Sequence, residues 1–209
     1  MNGATAASAD ALVDALAATS IGDTFNQYRC SDGDDCGPEA PAIRGANLRA
    51  YLTRRRDAPV LLVAEAAGWR GARYSGLCLY SERQFGPHEP ELRRSSRHPG
   101  GWGEASATVV QGAIAPWRDR VVLWNLVPTH PRRDDSPHSN RTPTRAEMRL
   151  GEVWLERIIE VVRPLHVAGI GVHAGRALGA GVPVVRHPAH GGALVARESL
   201  CALLSGWLS

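Results

Sequence analysis

The sequence predicts an α/β fold: a single-domain α/β/α sandwich around a mainly parallel, four-stranded central sheet. Four short, continuous apolar runs, at residues 59–63, 120–124, 165–170 and 182–185, have the composition of strands covered on both faces. Segments of helical period alternate with them, the order of elements that builds a parallel sheet. A length of 209 residues, 44% of them apolar, suits one sizeable core.

Taken in order, residues 11–18 read as a short helix and 31–41 as an Asp- and Gly-rich loop. A second helix is expected over 43–55, with Leu48, Tyr51 and Leu52 on one face. Residues 1–57 then form a helical N-terminal extension packed on the main body. After the first strand, 68–104 is rich in Gly, Arg and Ser and has no sustained periodicity. It is too long for a mere connection, and such loops in compact domains tend to be functional. A helix from Ser106 through Ala115 leads to the second strand, and a polar loop at 128–142 follows. The next helix carries a capping box, Thr144-Arg145-Ala146-Glu147, behind Pro143. Its apolar positions Met148, Trp154, Leu155, Ile158, Ile159 and Val162 recur at helical spacing, and Pro164 stops it. The third strand, a short helix at 174–178, the fourth strand and a C-terminal helix at 194–208 complete the chain.

Composition excludes several classes. The longest apolar runs are far shorter than the ~20 residues of a spanning helix, and no basic region followed by a hydrophobic segment opens the chain. A cytoplasmic protein without a membrane partner is expected. The net charge is only +3, but basic residues gather at Arg93, Arg94 and Arg97 and at Arg132 and Arg133, both in loop segments. Either cluster alone reads first as solvated surface. Cys30, Cys36, Cys78 and Cys201 match neither a zinc ribbon nor a compact iron–sulfur ligand set, so no metal and no cofactor are expected. A reducing compartment disfavours a Cys30–Cys36 disulfide.

The stretch Arg186-His187-Pro188-Ala189-His190-Gly191-Gly192, directly after the fourth strand, is hard to explain as packing. Proline fixes the backbone, the glycines allow close approach, and histidine works near neutral pH. In open parallel sheets ligands bind beyond the carboxyl ends of the strands. Glu65, Asn125 and His187 fall at three such ends. Each has a plainer reading: a cap for Glu65, a turn for Asn125, a backbone-satisfied ring for His187.

These residues lie in short motifs that follow one another in order along most of the chain. They are Phe25-Asn26-Gln27-Tyr28; Ala64-Glu65-Ala66-Ala67-Gly68; Tyr74-Ser75-Gly76 with Ser81-Glu82-Arg83-Gln84; Trp124-Asn125-Leu126-Val127-Pro128; Ser139-Asn140-Arg141-Thr142-Pro143-Thr144; and Arg186 through Gly192. Together they resemble the uracil-DNA glycosylase superfamily, in particular a bacterial branch with G-E-A-P-G and H-P-x-H-G-G motifs.

The resemblance implies a monofunctional glycosylase, acting as a monomer on DNA near the nucleoid. It would flip a nucleotide and hydrolyse its N-glycosidic bond, leaving an abasic site. His187 would stabilise charge on the departing base. Asn125 would read the base, and Glu65 would position water or stabilise the cationic sugar. Ala66, Gly68, Leu79, Tyr80 and Asn125 would line the base pocket. Arg93, Arg94, Arg97, Arg132, Arg133, His190, Gly191 and Gly192 would face the DNA backbone, and Leu194 would fill the gap left by the base.

Two departures from the family pattern bear on the substrate. Alanines replace the first glycine and the proline of the first motif, and Leu79 stands where the family places an aromatic that stacks on the base. Tyr80 could rotate in as a substitute. Uracil and a larger modified pyrimidine, such as hydroxymethyluracil or glucosylated hydroxymethylcytosine in phage defence, stand level. An inert DNA-binding module and a small-molecule hydrolase using His187 and Glu65 are the alternatives from other classes.

Overall fold

A computed structural model describes residues 8–209. The four apolar runs form one sheet of parallel strands: β1 (Val60–Ala66), β2 (Val121–Val127), β3 (His166–Ile170) and β4 (Val184–Val185), in the order β2-β1-β3-β4. From β1 the chain steps one way to β2, then returns past β1 to β3 and on to β4. Connections therefore reverse direction between β1 and β3, and the crevice at their carboxyl ends is the switch point where such sheets bind ligands.

Helices cover both faces. They are α1 (Ala9–Ala18), α2 (Ala40–Arg54), α3 (Ala72–Ser75), α4 (Ala105–Ile114), α5 (Arg145–Val162), α6 (Val172–Leu178) and α7 (Ala193–Leu208). Strand alternation sorts the core. Leu61, Val63, Val122 and Trp124 join Leu16, Leu52, Trp154, Ile158 and Ala174 from α1, α2, α5 and α6. On the other face, Val60, Leu62, Val121 and Leu123 join Val110 and Ala113 of α4 and Leu200 and Leu204 of α7. The α/β/α sandwich follows from these two apolar faces. No helix among the described residues is long and apolar enough to cross a membrane.

The capping box forms as the sequence implies. Thr144 accepts the Glu147 N–H at 3.2 Å, and the Glu147 carboxylate accepts the Thr144 N–H at 2.8 Å. Arg141 grips the same carboxylate with both terminal nitrogens, at 2.6 and 2.7 Å. Gly151 then lets α5 lie on β2, since a Cβ there would sit 2.3 Å from the Leu126 carbonyl oxygen.

Boundaries differ from the apolar runs in ways that matter for the site. β1 and β2 continue past them, with Ala64 opposite Asn125 and Ala66 opposite Val127, because ladder pairing extends beyond the fully apolar core. Glu65 and Asn125 thus lie within strands, where alternation dictates the direction of each side chain. β4 is only two residues long, an edge strand preceded by Pro183, which lacks an N–H for the ladder.

The N-terminal segment is tied into the body at many points. Gln27 donates to the Pro128 carbonyl at 2.7 Å and the Tyr28 hydroxyl to the Gly76 carbonyl at 2.8 Å. Buried Asp35 accepts from Arg44 at 2.7 Å and from Arg73 at 3.0 Å, while Arg44 also donates to the carbonyls of Gln27 and Cys30. These buried charges are fully partnered, as their desolvation demands. The network locks the 31–41 loop to α2 and α3.

Candidate active site

The carboxyl ends of the strands carry two groups of polar side chains. One lies at the switch point. His187, just after β4, packs over Gly171 at the end of β3. A Cβ on Gly171 would come within 3.4 Å of the His187 Cβ, and its φ of +94° suits glycine. The Ala189 N–H donates to Nδ1 of His187 at 3.1 Å. That bond makes Nδ1 the acceptor, so the single ring proton of the neutral imidazole resides on Nε2. Burial, and secondarily the neighbouring His190, push the His187 pKa down. The result is a neutral imidazole whose Nε2–H is committed to no protein acceptor among the described residues.

The loop that shapes His187 is sharply turned. His190 and Gly191 both take left-handed backbone angles, φ +54° and +74°, and Arg186 donates to the His190 carbonyl at 3.2 Å. A Cβ on Gly192 would collide with the His187 carbonyl oxygen at 2.3 Å, so this glycine is needed for the close approach. His190 and Gly191 are exposed, Gly192 is buried, and Leu194 at the start of α7 is 66% exposed.

Glu65 belongs to this switch-point group. By alternation it points to the face of Leu61 and Val63, away from Ala64 and Asn125, and its Oε2 lies 3.7 Å from Nε2 of His173 in α6. His173 follows Gly171 by two residues, so Glu65 and His187 flank the same turn at the start of α6. Asn125, on the opposite face of the strands, does not join Glu65.

Asn125 anchors the second group. It is 5% exposed and lies on the face of Val121 and Leu123. The Cys78 thiol donates to its Oδ1 at 3.1 Å, which leaves Nδ2 as the donor without a protein partner. Burial, followed by the charge of Glu104, holds the Cys78 pKa well up, so this sulfur stays a thiol. Leu79 is next to it in the same cluster, buried and with φ +45°, an uncommon angle for a branched residue.

Glu104 completes this group and was not singled out by the sequence. Its carboxyl oxygens lie against the loop after β1: a Cβ added to Gly68 or Gly71 would come 2.3 Å from Oε1 or Oε2 respectively. It occupies the N-cap position of α4 without making the side-chain capping bond. Among the described residues its carboxyl group accepts no hydrogen bond, and burial raises its pKa to about 7. Its only sequence signal was its place at the end of the long 68–104 loop.

Two expected pocket residues are placed elsewhere. Tyr80 is 2% exposed and packs with Leu77 and Leu92 on the opposite face of the sheet, its hydroxyl bonded to Glu89. It cannot replace the missing aromatic without breaking that bond. Ala66 likewise packs toward the α5 face. An aromatic wall forms instead from Trp69, edge-on to Trp102 at 4.9 Å and stacked on His138 at 5.1 Å, with Tyr74 stacked on Trp102 at 5.6 Å. It stands beside Gly68 and Glu104 in the chain. Behind it, His130 donates from Nδ1 to the Ala67 carbonyl at 2.7 Å, and burial depresses its pKa to about 4.

Buried Glu82 builds the basic loop. Its carboxylate accepts the N–H groups of Ser95, Ser96 and Trp102, at 2.8, 3.0 and 3.2 Å, and the Ser96 hydroxyl. Arg93, Arg94 and Arg97 project from this loop and are exposed. Arg133 is exposed too, whereas Arg132 is held over the Phe25 ring at 4.3 Å and 3.4 Å from Asp32, which reduces its freedom to meet a phosphate. Among the described residues no three His, Cys, Asp or Glu side chains form a metal-binding group, and the cysteines are unpaired.

A scan against protein-family models and a search of curated proteins return no match to this chain.

Proposed function

We propose that the chain is a monofunctional DNA glycosylase that holds a flipped pyrimidine in the crevice beyond β1, β2 and β3 and hydrolyses its N-glycosidic bond. One observation carries the reading: a neutral His187 with its proton on Nε2, held over the switch point. As the glycosidic bond breaks, negative charge collects on the departing base and positive charge on the sugar. A preorganised N–H at the place where the anion forms lowers the barrier without reorganisation. An imidazolium is unnecessary, because a hydrogen bond to the anion suffices.

Glu65 flanks the same turn as His187, on the side where the cationic sugar or the attacking water would lie. A carboxylate there stabilises the former or orients the latter. Asn125, on the other face, offers Nδ2 to an acceptor on the base. The exposed Arg93, Arg94, Arg97 and Arg133 supply phosphate contacts, and Leu194 stands exposed beside the glycine turn, an apolar side chain available to enter the gap in the stack.

The test is release of free base from a duplex with one modified pyrimidine, followed by alkali to cut the abasic site. The reading requires a cut at that nucleotide.

A further inference from the structure

A side-chain amide carries an acceptor at one end and a donor at the other, and it can turn end for end unless a neighbour distinguishes the two. Cys78 is such a neighbour for Asn125. Its thiol donates to Oδ1 at 3.1 Å, and Asn125 is 5% exposed. Ala64, opposite Asn125 in the β1–β2 register, packs in the same cluster as the sulfur. Nδ2, at the other end of the amide, has no protein partner among the described residues. Turned round, the amide would set its NH2 group against the S–H, two donors with only a weak sulfur acceptor between them. Burial keeps the sulfur a thiol, the form that can donate.

The turn that carries Cys78 is anchored on both sides. Fully buried Ser75 accepts the Leu77 N–H at 2.9 Å and donates from the same hydroxyl to the Tyr80 carbonyl at 2.6 Å. Gln111 of α4 donates to the Leu79 carbonyl at 3.0 Å. Gly76 takes φ +77° and Leu79 φ +45°, and a non-glycine residue keeps such an angle only where its surroundings hold it there. Cys78 thus sits between fixed residues, with little freedom to follow a turning amide.

We propose that Cys78 is a positioning residue that fixes the Asn125 amide with Oδ1 toward the sulfur and Nδ2 free, so that Asn125 meets the flipped base as a hydrogen-bond donor. This inference rests on the glycosylase reading above. Cytosine and uracil alike carry a carbonyl oxygen, so the direction of the bond is fixed here and not the identity of the base.

Two measurements test it, and the first needs no substrate. The infrared S–H band of Cys78 is isolated as the difference between the parent and Cys78→Ser, and likewise between Asn125→Ala and the double variant. The expected band lies at the lowered frequency of a hydrogen-bonded thiol in the parent and rises in Asn125→Ala. A free-thiol frequency in the parent, or a band that does not respond to Asn125→Ala, overturns the inference whatever the protein cleaves.

The second is single-turnover excision from otherwise identical duplexes containing cytosine, hydroxymethylcytosine, glucosylated hydroxymethylcytosine, uracil or hydroxymethyluracil. Cys78→Ala is expected to slow excision of the base that wild type releases by about tenfold, the scale of one hydrogen bond, with DNA affinity kept. Cys78→Ser, whose hydroxyl donates as the thiol does, is expected to recover most of that loss. In the Asn125→Ala background, Cys78→Ala is expected to cost nothing further. Excision that Cys78→Ala leaves unchanged, or slows equally with and without Asn125, overturns the inference and leaves the glycosylase reading standing. Release of no base by wild type, with the bonded thiol present, overturns the glycosylase reading and with it the part of Cys78 in base contact.

Discussion

The backbone N–H of Ala189 donates to Nδ1 of His187 at 3.1 Å, and this one bond decides which ring nitrogen carries the proton of the neutral imidazole. It arises within a single turn, because Pro188 and the left-handed His190 and Gly191 bring the chain back on itself. The chemistry proposed for His187 depends on that turn as much as on the imidazole.

His187→Ala should therefore lower single-turnover excision by about 10²–10³-fold, the usual consequence of losing one preorganised donor. DNA affinity, measured by fluorescence anisotropy, should change little. Equal losses in both would make His187 a binding or folding residue.

The pH profile follows from the same geometry. Burial and then His190 depress the His187 pKa, so the ring stays neutral below the ~6.5 of an ordinary histidine. The acid limb that His187 itself contributes should fall only below that value, as the proton on Nδ1 breaks the bond from Ala189. His190→Ala removes a repelling charge, raises the His187 pKa and moves the acid limb to higher pH. A limb that does not move assigns the profile to another group.

Glu104 makes a prediction about stability that needs no substrate. Its folded-state pKa, about 7, lies above its ordinary 4.5, so the folded state binds more protons than the unfolded state between these values. Stability therefore falls as pH rises through that window, by about 1–3 kcal/mol for this group. Glu104→Gln should be more stable than the parent at pH 8 and gain much less at pH 4.5, as read by denaturant melts. A constant difference across pH would remove the desolvated carboxylate from the account.

Gly68 and Glu104 should be coupled. Gly68→Ala drives a methyl group against the carboxylate and should cost about 1–3 kcal/mol, as overpacking does. In the Glu104→Ala background the same substitution should be nearly free. A double-mutant cycle with no coupling would place the carboxylate elsewhere.

Leu194→Ala should slow excision from duplex DNA more than from single strands, because only the duplex has a gap to fill. Loss of the same size on both would make Leu194 a general contact.

Much of the fold was legible because it rests on local chemistry. Continuous apolar runs marked the strands, and Thr144 with Glu147 marked the start of α5. The sequence also singled out His187, since proline and glycines around a histidine have few packing explanations. Three-dimensional placement was harder to read. Strand pairing carries β1 past its apolar run, so Glu65 obeys alternation and parts from Asn125, which the apolar run by itself does not reveal. The place of Tyr80 is hidden for a similar reason: neighbours in a turn face opposite layers, and the carboxylate that claims its hydroxyl, Glu89, lies nine residues on. Glu104 was invisible because nothing in its own sequence neighbourhood shows that Gly68 and Gly71, more than thirty residues earlier, leave space for it.

The most direct test is to follow free-base release by mass spectrometry from a panel of duplexes, each with a single uracil or modified pyrimidine, comparing wild type with His187→Ala at saturating protein. The account predicts stoichiometric release of the intact base and an alkali-labile site with wild type, and near loss of release with retained binding in the variant. Tight binding by wild type without release of any base, across the full pyrimidine panel, would contradict it.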